Sequence, residues 1–185
     1  MLGNWIMAVL SMACFGSFAW AVKGHFRSRG SVPNGMRVIS VASIASMAWF
    51  LERLLVDALA SYWPLAAAMI VVALGLFWWT VRTTNLRRLT LAFDDDRPTF
   101  LHQQGPYRWV RHPFYASYIL FWIATSLATP GFLPWIVPVC FVAIYVVAAK
   151  REENKFEASS LGHEYARYSS GVGMLLPFSW RWPGS

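Results

Sequence analysis

Gly105-Pro106-Tyr107-Arg108-Trp109-Val110-Arg111-His112-Pro113-Phe114-Tyr115 sets two arginines, a histidine and two tyrosines directly against the start of an apolar run. Pro113 suits the first turn of the helix that follows, because its missing N–H is one the helix would leave unpaired. Arg111 and His112 then lie at the positive end of that helix, where unpaired backbone N–H groups favour an anion such as a carboxylate or phosphate. A second polar cluster, Lys150-Arg151-Glu152-Glu153, follows the next pair of hydrophobic segments. Together the clusters offer both charge signs and aromatic faces, a set suited to a ligand that itself carries both charges. S-adenosylmethionine is such a ligand, with a carboxylate, an ammonium, an adenine ring and a sulfonium. Arg111 and His112 suit its carboxylate, and Glu153 its ammonium or ribose hydroxyls. Tyr107 and Tyr115 suit the adenine by stacking or the sulfonium by cation–π attraction.

These clusters have to be carried by a membrane scaffold. The chain has 185 residues, 57% hydrophobic and 14% charged, too apolar for a soluble domain of one-domain length. Its apolar residues form blocks near the ~20 residues that cross a bilayer as helix. The expected fold is all-α and polytopic: one integral-membrane domain, 1–185, with five spans over about 2–22, 38–58, 62–81, 113–129 and 132–149, and a tail over 150–185. Met1 to Val22 carries no charged side chain and no small-residue cleavage site, so the first span is expected to stay in the membrane.

The formal charge of +7 does not point to nucleic acid, because the basic residues sit between hydrophobic runs rather than on a soluble surface. Of the 16 Lys and Arg residues, only Arg53 falls outside the stretches that five spans would leave in the cytoplasm. The positive-inside rule therefore puts the N-terminus outside and the C-terminus in the cytoplasm. Glu52, Arg53 and Asp57 fit an interfacial cluster that snorkels at the outer end of the second span. The long connection from Arg82 to His112, with Asp94-Asp95-Asp96, is of a length usually tied to function or disorder. Pro130-Gly131 makes a helical hairpin of the last two spans and returns Glu152 and Glu153 to the side of Arg111 and His112. From Arg151 to about Tyr168 a partly amphipathic helix is expected, and Met174 to Trp182 is expected to pack on the membrane surface. Ala66-Ala67-Ala68 and Gly75 would allow close helix packing, without fixing an oligomeric state.

Other chemistries find little here. The four histidines are scattered, so no metal site is expected, and Cys14 and Cys140 lie inside apolar blocks as packed or lipid-facing thiols. The spans carry no chain of acids such as a pump needs. A membrane lipid or sterol reductase using NADPH, with Arg88, Arg108 and Arg111 at the 2′-phosphate, is the alternative enzyme class.

Gly105-Pro106-Tyr107, then Arg111-His112-Pro113 with Tyr115, then Glu152-Glu153, then Gly162-x-x-Tyr165-x-x-Tyr168 ending at Pro177, resemble the C-terminal signature of the isoprenylcysteine carboxyl methyltransferases, shared with the related phospholipid methyltransferases. The resemblance covers Thr99 to Pro177. It implies a membrane methyltransferase that binds S-adenosylmethionine in a cytoplasmic pocket capped by the C-terminal segment and acts on a lipophilic acceptor, either a prenylcysteine-like carboxylate or another lipid-soluble molecule, phospholipid amines included. Cofactor contacts carry over to Thr99, Phe100, Leu101 and His102, to Tyr107, to His112, Pro113, Phe114 and Tyr115, and to Glu153. The chain departs from the pattern at Ala149, where the eukaryotic prenylcysteine enzymes have an arginine for the substrate carboxylate, four residues before the cofactor glutamate. Arg151 is the candidate to orient an anionic acceptor in its place, and Glu152 or His112 the candidate base.

Overall fold

The computed structural model describes residues 1–26, 33–86, 89 and 98–177. The arginines at 27, 29, 87, 88 and 97, the run Asp94-Asp95-Asp96 and the tail from residue 178 lie outside the described residues. The described chain is helical: α1 (Leu2–Gly24), α2 (Asn34–Val56), α3 (Trp63–Thr84), α4 (Pro113–Ala128), α5 (Ile136–Glu157) and α6 (Gly162–Gly171), with 3-10 turns at Gly105–Arg108 and Leu133–Trp135. Among the described residues, four helices are long and apolar enough to cross a membrane: α1, α2, α3 and the stretch Leu133–Glu157.

Burial explains how these helices pack. On α1 the buried residues are Met7, Ser11, Cys14, Phe18 and Ala21, and the buried stripe of α3 holds Ala66, Ile70, Ala73, Phe77, Thr80 and Thr84, with Val81 beside it. Alternating steps of four and three keep each set on one stripe, because a helix turns about 100° per residue. Outside the stripes stand Trp5, Val9 and Met12 on α1 and Val71, Val72 and Trp79 on α3, all exposed as lipid-facing residues are. Cys14 is buried and Cys140 exposed, both as free thiols.

α4 is the centre of the bundle. Ten of its 16 residues are buried, on every side of the helix, and it packs most extensively against α3. The expected span over 113–129 is thus a short helix of ~24 Å, less than the ~30 Å of hydrocarbon. Pro113 fixes its start. Its last carbonyl, Ala128 O, accepts from Ala60 N in the turn between α2 and α3 at 3.0 Å. The hydroxyls of Ser117, Thr125, Ser126 and Thr129 all donate to backbone carbonyls, so this buried helix carries its polar groups satisfied. At the end of α2, Arg53 pairs with Asp57 one turn on.

Two boundaries differ from expectation. The helix expected to end at Ala149 runs on to Glu157, because Lys150 to Lys155 contains no breaker, so Glu152 and Glu153 ride on a rigid helix rather than on a tail. The helix expected from Arg151 to Tyr168 is instead the end of α5, a turn, and α6. Gly162 opens α6 with its Cα so close to α5 that a Cβ there would meet Glu157 O at 2.7 Å, which accounts for the sharp change of direction.

Gly105 opens the 3-10 turn at φ +58, and a Cβ there would also press into Thr83 of α3. Gly105→Ala should therefore lose about 2–4 kcal/mol, the left-handed backbone penalty plus overpacking. Gly131→Ala, at φ +91 with open space around it, should lose only the first part. Thermal unfolding of the two variants in detergent separates them; equal losses would show that Thr83 yields freely.

Candidate active site

The hairpin of α4 and α5 brings the two polar clusters together. His112 is the N-cap of α4, and its ring lies between the two carboxylates of α5, with Nε2 3.0 Å from Glu153 Oε1 and Nδ1 3.5 Å from Glu152 Oε2. Arg111 donates Nε to Glu153 Oε1 at 2.8 Å and Nη1 to Ser169 O and Val172 O at 3.1 and 2.5 Å. The Tyr115 hydroxyl donates to Glu152 Oε1.

The C-terminal segment is stitched onto the same place. Val110 and Gly173 form a parallel bridge, the strand-like pairing found among the described residues. Arg111 N donates to Gly173 O at 2.8 Å and His112 N to Met174 O at 3.1 Å. From α6, Tyr168 donates its hydroxyl to Tyr107 O at 2.6 Å, and Gln103 Nε2 donates to Glu164 Oε1 at 2.6 Å.

Electrostatics follow from this arrangement. Burial works against a charge on His112, but the hydrogen bonds to Glu152 and Glu153 and their negative charges outweigh it and raise its pKa above the ordinary 6.5. Burial, reinforced by the charge of Glu152, holds the Tyr107 phenol far above its ordinary range, so Tyr107 is a hydrogen-bonding and stacking group rather than a base. Its ring stacks on His102, with centroids 5.4 Å apart.

A cavity of about 1180 Å³ opens beside the cluster. Of the residues singled out in the sequence, Thr99, Phe100, Leu101, His102, Tyr107, Arg111, His112, Pro113, Phe114, Tyr115 and Glu152 line it. Glu153 and Arg151 do not. Successive residues on a helix are ~100° apart, so with Glu152 turned to the cavity, Glu153 turns to Arg111 and Arg151 to the opposite side, where it is exposed. The anion at the start of α4 is thus Glu153 itself, and Arg111 is engaged by three acceptors of the protein's own. Ala149, fully buried, also stays out of the cavity.

The sequence reading missed the far half of this cavity. Tyr118, Trp122 and Tyr145 line it from α4 and α5, and Phe15, Phe18, Ala19, Ile39, Ser43 and Ile44 from α1 and α2, while the signature tyrosines Tyr165 and Tyr168 of α6 wall the polar end. Tyr118 and Tyr145 carried a signal, since a tyrosine inside an apolar span needs a polar neighbour or a cavity for its hydroxyl. The apolar residues of α1 and α2 carried none.

Residues 62–164, more than half of the chain, match the family described as phospholipid methyltransferase. The chain belongs to that family. The matched stretch runs from the start of α3 through α5 into α6 and contains both polar clusters. Curated relatives include methanethiol S-methyltransferases of Mycobacterium tuberculosis, 34% identical over 58% of this chain and 46% of that protein, and of Crocosphaera subtropica, 33% identical over 51% of this chain and 36% of that protein. A third, from Pseudomonas deceptionensis, is 35% identical over 43% of this chain and 29% of that protein. The chain spans less than half the length of the curated relatives it matches. As a member of the phospholipid methyltransferase family it belongs to a group whose name implies a methyl donor.

Proposed function

We propose that this chain transfers a methyl group from S-adenosylmethionine to a lipophilic acceptor at the cytoplasmic face of a membrane. The observation that carries the reading is one continuous cavity with a polar end, at Tyr107, His112, Tyr115 and Glu152, and an apolar end between membrane-length helices. A drug-sized ligand occupies a pocket of ~300–1000 Å³, so this volume suits a nucleoside-sized donor with a second molecule beside it.

The residues at the polar end fit the donor. The stacked pair His102 and Tyr107 offers aromatic faces, and the first turn of α4 its N–H groups. When bound, the donor supplies an electrophilic methyl on a sulfonium. The protein's part is to align the acceptor in line, exclude water and take up a proton where the acceptor carries one. Glu152 is the group for that proton. Arg111 and Glu153 are positioning residues that hold His112 and the C-terminal segment in place. The Tyr165 and Tyr168 walls support a capping role for α6.

The acceptor is better read as neutral than as a carboxylate. Ala149 stands where a carboxylate-binding arginine would be, and Arg151 is turned outward, so the arginine replacement expected from the sequence has no geometric support. The relatives' thiol acceptor agrees with this reading. Family membership favours methyl transfer over the nicotinamide-dependent reductase. In the topology that goes with this function α4 is a short span, the fourth of five along the chain, the N-terminus is outside and the C-terminus is cytoplasmic, supported by the skew of Lys and Arg.

Thermal unfolding of the detergent-solubilised chain tests the donor. S-adenosylhomocysteine at about 100 times its Kd should stabilise by ~2.7 kcal/mol, whereas NADPH should do nothing. Stabilisation by NADPH alone would overturn the proposal.

A further inference from the structure

The matched family segment begins at residue 62, yet the apolar end of the cavity is walled largely by α1 and α2, which precede it. These two helices touch each other sparingly. Ala19 of α1 and Ile44 of α2 both line the cavity and are exposed, the arrangement of a cavity that opens sideways between the two helices. Its surface there is mostly apolar: Phe15, Ala19, Ile39 and Ile44 line it with Ser43, and the Ser40 hydroxyl is already spent on Met36 O at 2.9 Å. A one-carbon thiol beside the donor would leave this arm unfilled.

We infer that α1 and α2 select the acceptor by its hydrocarbon chain, which lies between them along Phe15, Ala19, Ile39, Ser43 and Ile44 while the nucleophile sits at Glu152. This rests on the methyl-transfer reading for the nucleophile's position, but the binding of the chain does not depend on it. Each methylene moved from water into such an arm contributes about fourfold in affinity, so selectivity should climb with chain length until the arm is full. In the reaction the acceptor sulfur bonds to the methyl carbon as the bond from that carbon to the donor sulfonium breaks. The thiol proton passes to Glu152, and the donor leaves as the neutral thioether.

The chain reconstituted in lipid nanodiscs is assayed with labelled S-adenosylmethionine and methanethiol, 1-octanethiol or 1-dodecanethiol. kcat/KM should rise steeply with chain length. In Ala19→Phe, or Ile44→Trp should the first variant not fold, the ratio of dodecanethiol to methanethiol turnover should fall about tenfold or more, the equivalent of two methylenes losing their place, with donor Kd unchanged. A donor-free arm uses Ser43→Cys in a Cys140→Ala background: dodecyl methyl sulfide should protect Cys at that position from a membrane-permeant maleimide, and dimethyl sulfide should not. Equal turnover of all three thiols, or equal protection by both sulfides, overturns the inference while leaving methyl transfer standing. Failure to bind the donor overturns the proposed function instead, and the protection result still decides for or against the chain-binding arm.

Discussion

Glu153→Ala should unfold at markedly milder conditions than the natural chain, by about 3 kcal/mol, the range in which a buried ion pair that loses one partner destabilises a protein. The pair qualifies because the side chains of Arg111 and Glu153 are only 14% and 13% exposed, and because Glu153 Oε1 serves both Arg111 and His112. Removing it leaves two cations facing each other, with only Ser169 O and Val172 O to hold the guanidinium. Glu153→Gln keeps an acceptor oxygen and should lose less. The same contacts make stability depend on pH. His112 has a folded pKa above its ordinary 6.5, so its contribution is fully present below about pH 6.5 and is lost as pH rises through the folded value. Glu153→Gln removes one of the two charges responsible and should flatten that decline. Denaturant midpoints of the three proteins at several pH values test this, and identical pH slopes would show that His112 is not held charged by Glu153.

The meeting of the two clusters was legible in the sequence because its causes are local: Pro113 starts a helix, Pro130-Gly131 turns the chain back, and the polar runs sit at matching ends of the two apolar segments. What each carboxylate does was not legible. Glu152 and Glu153 are neighbours in sequence, but ~100° of helix rotation gives one to the cavity and the other to Arg111, and the phase of that rotation is set by Phe141, Tyr145, Ala148 and Ala149 packing in the bundle. Resemblance to a family signature put Glu153 on the cofactor; in the structure Glu152 lines the cavity, and Glu153 pairs with Arg111 and His112. The same rotation turns Arg151 away from the cavity. The end of α5 was misjudged for a related reason: hydrophobicity marks where a chain is apolar, while the absence of a breaker before Ala158 marks where the helix ends. The walls on α1 and α2 stayed hidden because Ile39 against the cavity and Val41 against lipid are indistinguishable until the helix is docked.

Glu152→Gln should keep the donor and lose the reaction. The amide has the size of the acid and still offers Tyr115 an acceptor oxygen, so the wall formed by Tyr115 and His112 should stand, and donor Kd should change by no more than about threefold, less than one neutral hydrogen bond is worth. It cannot take a proton from a thiol. A positioned general base contributes ~10²–10⁴-fold, and kcat with a long-chain thiol should fall by that amount while KM moves little. Tyr115→Phe, which removes the hydroxyl that orients Glu152, should fall by only about tenfold, the worth of one hydrogen bond. The deficit of Glu152→Gln should shrink as pH rises, because an acceptor already ionised in solution needs no base, whereas a variant that had merely lost its shape would gain nothing from alkali. Full turnover by Glu152→Gln at neutral pH would remove the carboxylate from the chemistry. The cavity would then act by alignment and exclusion of water alone, with the proton leaving through solvent at its polar end.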